Sequence, residues 1–185
     1  MINLNIPNII TIFRIILIPI FLLIFNSNIE NRVLYAGLVF LLAGLSDVLD
    51  GYIARKYNLT SRLGAVLDPF ADKLMSFAVL ISFTLVGFIP SWILFILLIK
   101  ETIMIIGGLM LYIRKDEAFI PSNRAGKNAT LALYISITSI VFKAPEYLSS
   151  LFLVVTVVLN ILAFASYLSI FVGLSKNRIN PVDKL

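Results

Sequence analysis

Four aspartates stand close together in a chain that is otherwise strongly apolar. The sequence contains ten acidic residues, and four of them fall within one short stretch: Asp47, Asp50, Asp68 and Asp72. A carboxylate at membrane depth is costly, and it normally faces a cavity, a partner or an ion. Between Asp47 and Asp72 there are three cations, Arg55, Lys56 and Arg62. They are too few to pair with all four carboxylates, which therefore predict a divalent metal site.

The absence of two residue types restricts which metal this site could hold. The chain has no cysteine, so a thiolate site is impossible, and it has no histidine, the usual zinc ligand and general base. A cation held by oxygen ligands alone is a hard one. The sequence therefore predicts Mg²⁺ or Mn²⁺.

The spacing of the aspartates predicts that each pair shares one face of a helix. Asp47 and Asp50 are three residues apart, with Ala54 on the same face, and Asp68 and Asp72 are four apart. A short connection makes the two helices antiparallel neighbours, so both pairs should lie at similar depth near the cytoplasmic surface. Like charges at this spacing repel each other, and one or two divalent cations would remove that conflict.

The composition indicates an all-α integral membrane protein, since 60% of the residues are hydrophobic and 14% are charged. A spanning helix needs about 20 apolar residues. Six apolar runs predict a bundle of six transmembrane helices, and they lie at 8–26, 33–54, 65–87, 91–113, 127–143 and 150–174. We expect one membrane domain over 1–185 and a retained first helix. Pro7 disfavours helix at Ile6, so 1–8 is predicted to be a short interfacial segment.

The distribution of lysine and arginine predicts the orientation of this bundle. Basic residues concentrate at the second and fourth connections and in the C-terminal tail, whereas the opposite side carries Arg32 and Lys143. The positive-inside rule then places both termini in the cytoplasm, which agrees with an even number of helices. Topology and contacts with anionic lipid explain the net charge of +5 better than nucleic-acid binding does.

Two groups of cations could bind a phosphorylated co-substrate. Lys100 lies midway along the fourth predicted helix, where an ionisable residue is a functional candidate, although a structural pair with Glu101 is the alternative. Arg124 and Lys127 open the fifth helix, whose N-terminus attracts anions, although they could also be topology anchors. We expect Lys100, Arg124 and Lys127 to bind the phosphate of an acceptor.

The aspartate stretch resembles the signature of the CDP-alcohol phosphotransferase (phosphatidyltransferase) family. Its eight fixed positions and every spacer length match: Asp47-x2-Asp50-Gly51-x2-Ala54-Arg55-x8-Gly64-x3-Asp68-x3-Asp72. The start of the chain, with Pro7 to Thr11 and Arg14, is similar to the start of the bacterial phosphatidylglycerophosphate synthases. Members of the family displace CMP from a CDP-linked lipid with an alcohol.

The resemblance implies a role for each matching residue. The four aspartates would form a two-metal site, and Asp72 would also be the general base that takes the proton of the acceptor hydroxyl. The resemblance implies contacts with the CDP-lipid for seven further residues: Asn8, Thr11, Gly51, Ala54, Arg55, Ser61 and Gly64. It also implies a homodimer in the cytoplasmic membrane, with the active site facing the cytoplasm.

The acceptor implied by the resemblance is sn-glycerol 3-phosphate, with CDP-diacylglycerol as donor. The enzymes specific for that acceptor have arginine at the position of Lys100 and again about two helical turns later, where this chain has Gly107 and Gly108. A cardiolipin synthase that uses phosphatidylglycerol as acceptor therefore remains an alternative function. An ion-coupled transporter and a scaffold without chemistry are alternatives of other classes. The carboxylates cluster towards one membrane face, and we see no transporter-like repeat, which disfavours transport.

Overall fold

The computed structural model describes the backbone of residues 6–57, 64–113 and 124–179, and side chains within 10–49, 51–53, 56–57, 70–107 and 125–169. The described residues form six α-helices and no strand. The helices are α1 (Ile6–Phe25), α2 (Arg32–Tyr57), α3 (Gly64–Leu85), α4 (Ser91–Ile113), α5 (Arg124–Val141) and α6 (Glu146–Ile179). The all-α prediction is confirmed, and the largest error in a helix end is at α6, which reaches 179 instead of 174.

The first helix begins before Pro7, so the prediction of a separate interfacial segment over 1–8 is wrong for residues 6–8. Pro7 is the second residue of α1. An amide in the first turn of a helix has no acceptor within the helix, and the fixed φ of proline suits this position. Pro7 therefore starts the helix instead of excluding it, and Asn8 lies on α1.

Two stretches are long and apolar enough to cross a membrane by length and composition: Arg32–Ile53 in α2 and Glu146–Ser169 in α6. Large apolar side chains are also exposed on every helix, as at Leu23, Leu45, Leu85, Ile99, Leu131 and Leu162. A soluble protein rarely exposes apolar surface so extensively. This pattern is typical of a protein whose solvent is lipid.

The chain divides into two compact units, of which the first comprises 1–90 and 140–143. Here α1 packs against α2 and α3, and α2 also packs against α3. The buried face of α1 carries Leu17, Phe21 and Phe25. The ring centroids of Phe25 and of Phe83 on α3 are 5.3 Å apart. This aromatic contact joins the C-terminal ends of α1 and α3.

A glycine allows α2 to approach the end of α5 within this first unit. A Cβ atom built at Gly37 would lie 2.3 Å from Cγ2 of Val141, well inside van der Waals contact. Small residues at such positions let helix backbones come close when lipid supplies no hydrophobic drive for packing. Gly37 is therefore required by packing.

Left-handed residues end two of the helices. After α3, Gly87 has a φ of 87°, and the amide of Phe88 donates to the carbonyl of Phe83 at 2.9 Å. After α5, Lys143 takes the same role with a φ of 54°. Both are Schellman-type ends that satisfy carbonyls left over by the helix. They confirm the third and fifth breaks that the sequence predicts.

The second unit comprises 91–139 and 144–185, and α4 packs against α6 within it. Hydrogen bonds between buried polar side chains connect α5 to α6. Ser136 Oγ lies 2.8 Å from Thr156 Oγ1, and Ser139 Oγ lies 3.1 Å from Ser149 Oγ. Such bonds join helices in an environment without water.

Two glycine substitutions test this packing. We expect Gly37→Ala to lower the free energy of unfolding by about 1–3 kcal/mol, because its methyl group would overlap Val141. Gly107→Ala is the matched control, since a Cβ there meets no described atom within 4 Å. Thermal unfolding in detergent measures both, and equal midpoints for the two variants would contradict the close approach at Gly37.

Candidate active site

The backbone places all four aspartates on two helices of the first unit. Asp47 and Asp50 lie on α2, and Asp68 and Asp72 lie on α3. Their spacings are therefore helical, and each pair shares a face, as the sequence predicts. The side chains of Asp47 and Asp72 are half-buried. Those of Asp50 and Asp68 lie outside the described side chains.

Asp47 forms an ion pair with an arginine of α1 that the sequence-based site did not include. The distance from Arg14 Nη1 to Asp47 Oδ1 is 2.6 Å. The arginine side chain is 1% exposed, whereas that of the aspartate is 44% exposed. A buried guanidinium is very costly unless it is paired and hydrogen-bonded. The pair therefore couples the packed core of α1 to an aspartate of the candidate metal site.

The sequence contained a signal for this contact. Arg14 is three residues after Thr11 and three before Leu17, so the three lie along one helical face. All three are buried in the structure. An arginine on the apolar face of a helix needs a carboxylate as partner. The position of Arg14 in the sequence did not identify which carboxylate that is.

The donors available to a metal are carboxylates, which fits a hard divalent cation. Within the described side chains no group of three or more acidic residues gathers at one point. Two of the four aspartates fall outside those side chains, so the complete set stays a prediction. Arg14 adds a cation beside one of the four carboxylates and reduces the repulsion among them.

The residues expected to contact the CDP-lipid are described unevenly. Thr11 is fully buried on α1, so any contact with a ligand requires that this face be uncovered. Gly51 is half-buried on α2. The other expected contacts have no described side chain: Asn8 on α1, Ala54 and Arg55 on α2, Gly64 at the start of α3, and Ser61 outside the described residues. Their roles stay predictions.

Lys100 of α4 belongs to a buried polar cluster in the second unit. Its Nζ donates to Glu101 Oε1 at 2.6 Å and to Asn160 Oδ1 of α6 at 3.0 Å. The side chains of Lys100 and Glu101 are each 13% exposed. The Asn160 amide donates in turn to the Thr156 carbonyl at 2.9 Å. Lysine carries three N–H donors, so these two bonds leave donor capacity for a ligand.

The fifth helix begins at Arg124, three residues before the apolar run that the sequence predicts from 127. Lys127 is exposed, and the side chain of Arg124 lies outside the described ones. A Cβ atom at Gly126 would lie 3.2 Å from the hydroxyl oxygen of Tyr167 on α6. Close packing of α5 on α6 therefore explains the glycine between the two cations.

The unequal burial of Arg14 and Asp47 predicts unequal effects of removing either partner. Asp47→Asn takes the carboxylate from a buried guanidinium, and we expect a loss of about 3–5 kcal/mol in the free energy of unfolding. Arg14→Gln removes the buried charge and leaves a carboxylate that water can reach, so its loss should be smaller.

Thermal unfolding in detergent with a metal chelator measures this difference without any contribution from bound cations. We expect a lower midpoint for Asp47→Asn than for Arg14→Gln. An equal or reversed order would mean that the guanidinium does not depend on Asp47.

Comparison with known proteins gives a family match over most of the chain. Residues 4–164 match the family model described as CDP-alcohol phosphatidyltransferase. The matched span contains all four aspartates, Arg14 and the cations of α4 and α5. The resemblance seen in the signature is thereby confirmed over the fold that carries it.

Several curated proteins are similar to this chain. The CDP-diacylglycerol–glycerol-3-phosphate 3-phosphatidyltransferase of Wigglesworthia glossinidia brevipalpis is 34% identical over 176 residues, which cover 91% of this chain and 94% of that protein. The protein of the same name from Haemophilus influenzae is 52% identical over 77 residues, 42% of each chain. A Mycobacterium tuberculosis protein named "Putative cardiolipin synthase" is 37% identical over 137 residues, 74% of this chain and 64% of that one.

The family model matches the part of the chain in which α2 and α3 present the aspartates. The protein is therefore a member of the CDP-alcohol phosphatidyltransferase family and a transferase.

Proposed function

We propose that the protein transfers the phosphatidyl group of CDP-diacylglycerol to sn-glycerol 3-phosphate, releasing CMP and forming phosphatidylglycerophosphate. The observation that carries the proposal is the aspartate signature, whose two pairs lie on the packed helices α2 and α3. The names of the relatives from Wigglesworthia and Haemophilus support the donor and the acceptor.

The proposal includes six membrane-spanning helices in the cytoplasmic membrane, with both termini and the active site on the cytoplasmic side. Near the end of α2, Lys56 Nζ lies 5.6 Å from the ring centre of Tyr52 and 5.7 Å from that of Tyr57. Tyrosines and cations of this kind are typical of the membrane–water interface. The aspartates at 47 and 50 would then lie within about three helical turns of that interface. A single domain over 1–185 and a homodimer are further parts of the proposal, and they rest on the resemblance.

We propose Mg²⁺ or Mn²⁺, as two ions, held by Asp47, Asp50, Asp68 and Asp72. When bound, such ions neutralise the negative charge of the pyrophosphate and the charge that develops on the departing CMP. The fit rests on the described donor chemistry, since Asp47 and Asp72 offer oxygen ligands from two packed helices. The protein's own task is to hold these carboxylates rigidly, which the pair between Arg14 and Asp47 does for one of them.

In the proposed reaction the acceptor hydroxyl oxygen attacks the phosphorus that carries the diacylglycerol. A new P–O bond forms to the acceptor, the P–O bond to CMP breaks, and Asp72 takes the hydroxyl proton. Phosphoryl transfer depends mainly on positioning and charge neutralisation. Gly51 and Arg55 would contact the nucleotide, since a glycine allows close approach and a guanidinium suits phosphate.

We propose that Lys100, Arg124 and Lys127 recognise the acceptor phosphate. The structure shows that Glu101 offsets the charge of Lys100, so we expect this lysine to contribute a directed N–H donor more than net charge. Lys127 is exposed at the start of α5, where a positive side chain adds to the field of the helix N-terminus. Electrostatic attraction of the acceptor phosphate would therefore depend more on Lys127 than on Lys100.

A cardiolipin synthase is the second candidate, and one observation favours it. A Cβ atom at Gly107 would meet no described atom within 4 Å, so no described side chain blocks a ligand at this glycine of α4. A bulky lipid acceptor could approach the helix there. The similarity to the mycobacterial protein agrees with this candidate.

Release of CMP by purified protein separates these candidates. The assay supplies CDP-diacylglycerol and Mg²⁺ with either glycerol 3-phosphate, phosphatidylglycerol, inositol phosphate or serine. We expect release with glycerol 3-phosphate alone. Release only with phosphatidylglycerol would make the protein a cardiolipin synthase. If folded protein released no CMP with any acceptor, the transferase proposal would be contradicted and the ion-transport alternative would be favoured.

The assignment of the base predicts a separation of chemistry from binding. Asp72→Asn should abolish turnover while leaving CDP-lipid binding largely intact, because the amide cannot accept the acceptor proton. Glu30→Gln, at an exposed residue of the loop before α2, is the control and should keep normal turnover. Near-normal turnover by Asp72→Asn would show that another group takes the proton.

A further inference from the structure

We propose that Arg14 is a positioning residue of the metal site, which holds the Asp47 carboxylate in the orientation that binds a divalent cation. The inference rests on the proposed function, because it assigns to Arg14 a role towards the proposed metal. It adds a residue of α1 to a site whose expected ligands all lie on α2 and α3.

The position of Arg14 restrains its side chain strongly. It lies on the face of α1 that packs into the first unit, three residues before Leu17 and seven before Phe21, both of which are buried. The guanidinium is therefore surrounded by packed groups and has little freedom to move. A carboxylate held at 2.6 Å by such a group takes its orientation from the core of the protein.

The Asp47 carboxylate lies between a buried environment and an exposed one. A carboxylate has two oxygens with about four acceptor positions, so one aspartate can accept a bond from an arginine and bind a cation at the same time. The side chain is 44% exposed, and it therefore extends from the buried guanidinium to the open side of the helix. Metal-binding carboxylates are usually hydrogen-bonded by an outer partner that orients them. Arg14 has the position and chemistry of such a partner.

A second ion pair in the same chain differs in how its two members are buried. Lys100 and Glu101 are equally shielded, each with 13% of its side chain exposed, and Asn160 completes that cluster. The pair of Arg14 and Asp47 is unequal, since one member is enclosed and the other reaches outward. This asymmetry is expected of a restraint that serves an accessible site.

The sign of the effect on metal affinity separates positioning from simple electrostatics. Removing the cation beside Asp47 makes the site more negative, which by itself would tighten the binding of Mn²⁺. Loss of an orienting partner weakens metal binding by about 10–100-fold. If positioning dominates, removal of Arg14 must therefore weaken binding despite the gain in negative charge.

The test is a titration of the full-length, detergent-purified protein with Mn²⁺ in the absence of both substrates, with free Mn²⁺ measured by electron paramagnetic resonance. We expect Arg14→Gln to raise the dissociation constant by about 10–100-fold. Arg14→Lys keeps the charge and loses the guanidinium fork, so its constant should rise by less. Phe21→Leu is the control, because it perturbs the same buried face without touching Asp47, and its constant should be unchanged.

An unchanged or tighter dissociation constant in Arg14→Gln would overturn the proposal, as would an equal loss in Phe21→Leu. If Arg14→Gln does not fold, Arg14→Lys decides alone: a weakened constant supports positioning and an unchanged one overturns it. The proposed function is tested separately by the release of CMP from the unaltered protein, and absence of the metal site itself would appear as no binding of Mn²⁺ by the unaltered protein. An activity assay adds a second readout, in which excess Mg²⁺ should restore turnover by Arg14→Gln.

Discussion

A charge buried away from water needs an opposite charge, and in this protein that constraint connects the core to the active site. Arg14 is enclosed by the packing of α1, and its guanidinium reaches Asp47 on α2. Replacing such a pair with apolar residues often stabilises a protein, so stability alone is a weak reason for an arginine here. A reason from function is stronger, because the partner of Arg14 belongs to the signature that defines the family. Under this proposal the core supplies the rigidity that the chemistry requires.

The same constraint organises the second unit around a different cation. Lys100 pairs with Glu101 and reaches Asn160, and the hydrogen bonds continue through Thr156 to Ser136 on α5. In lipid, polar groups have no water to satisfy them, so they gather into clusters that also fix how helices pack. Each unit thus contains an embedded cation with an acidic partner. We propose that both cations serve the reaction, one by orienting a metal ligand and the other by donating to the acceptor.

Helix positions and the aspartate faces were predictable from the sequence because they depend on local patterns. Helical spacing acts within one helix, and the structure confirms that the two aspartate pairs lie on the helices α2 and α3. The contacts of Arg14 with Asp47 and of Lys100 with Asn160 were not predictable, since each joins helices whose packing a single sequence does not reveal. The prediction made from Pro7 was wrong for a different reason. The effect of a proline depends on whether it lies in the first turn of a helix or further along. The acceptor was also beyond sequence reasoning, because lysine at position 100 and Gly107 permit two different alcohols.

Diffraction from crystals soaked in Mn²⁺, recorded at a wavelength where manganese scatters anomalously, tests the central claim most directly. The claim is that Asp47 holds Arg14 and a catalytic metal at the same time. The account predicts anomalous peaks bonded to the aspartates of α2 and α3, with Asp47 still paired to Arg14. Peaks located elsewhere, or a metal site in which Asp47 has turned away from either partner, would contradict it.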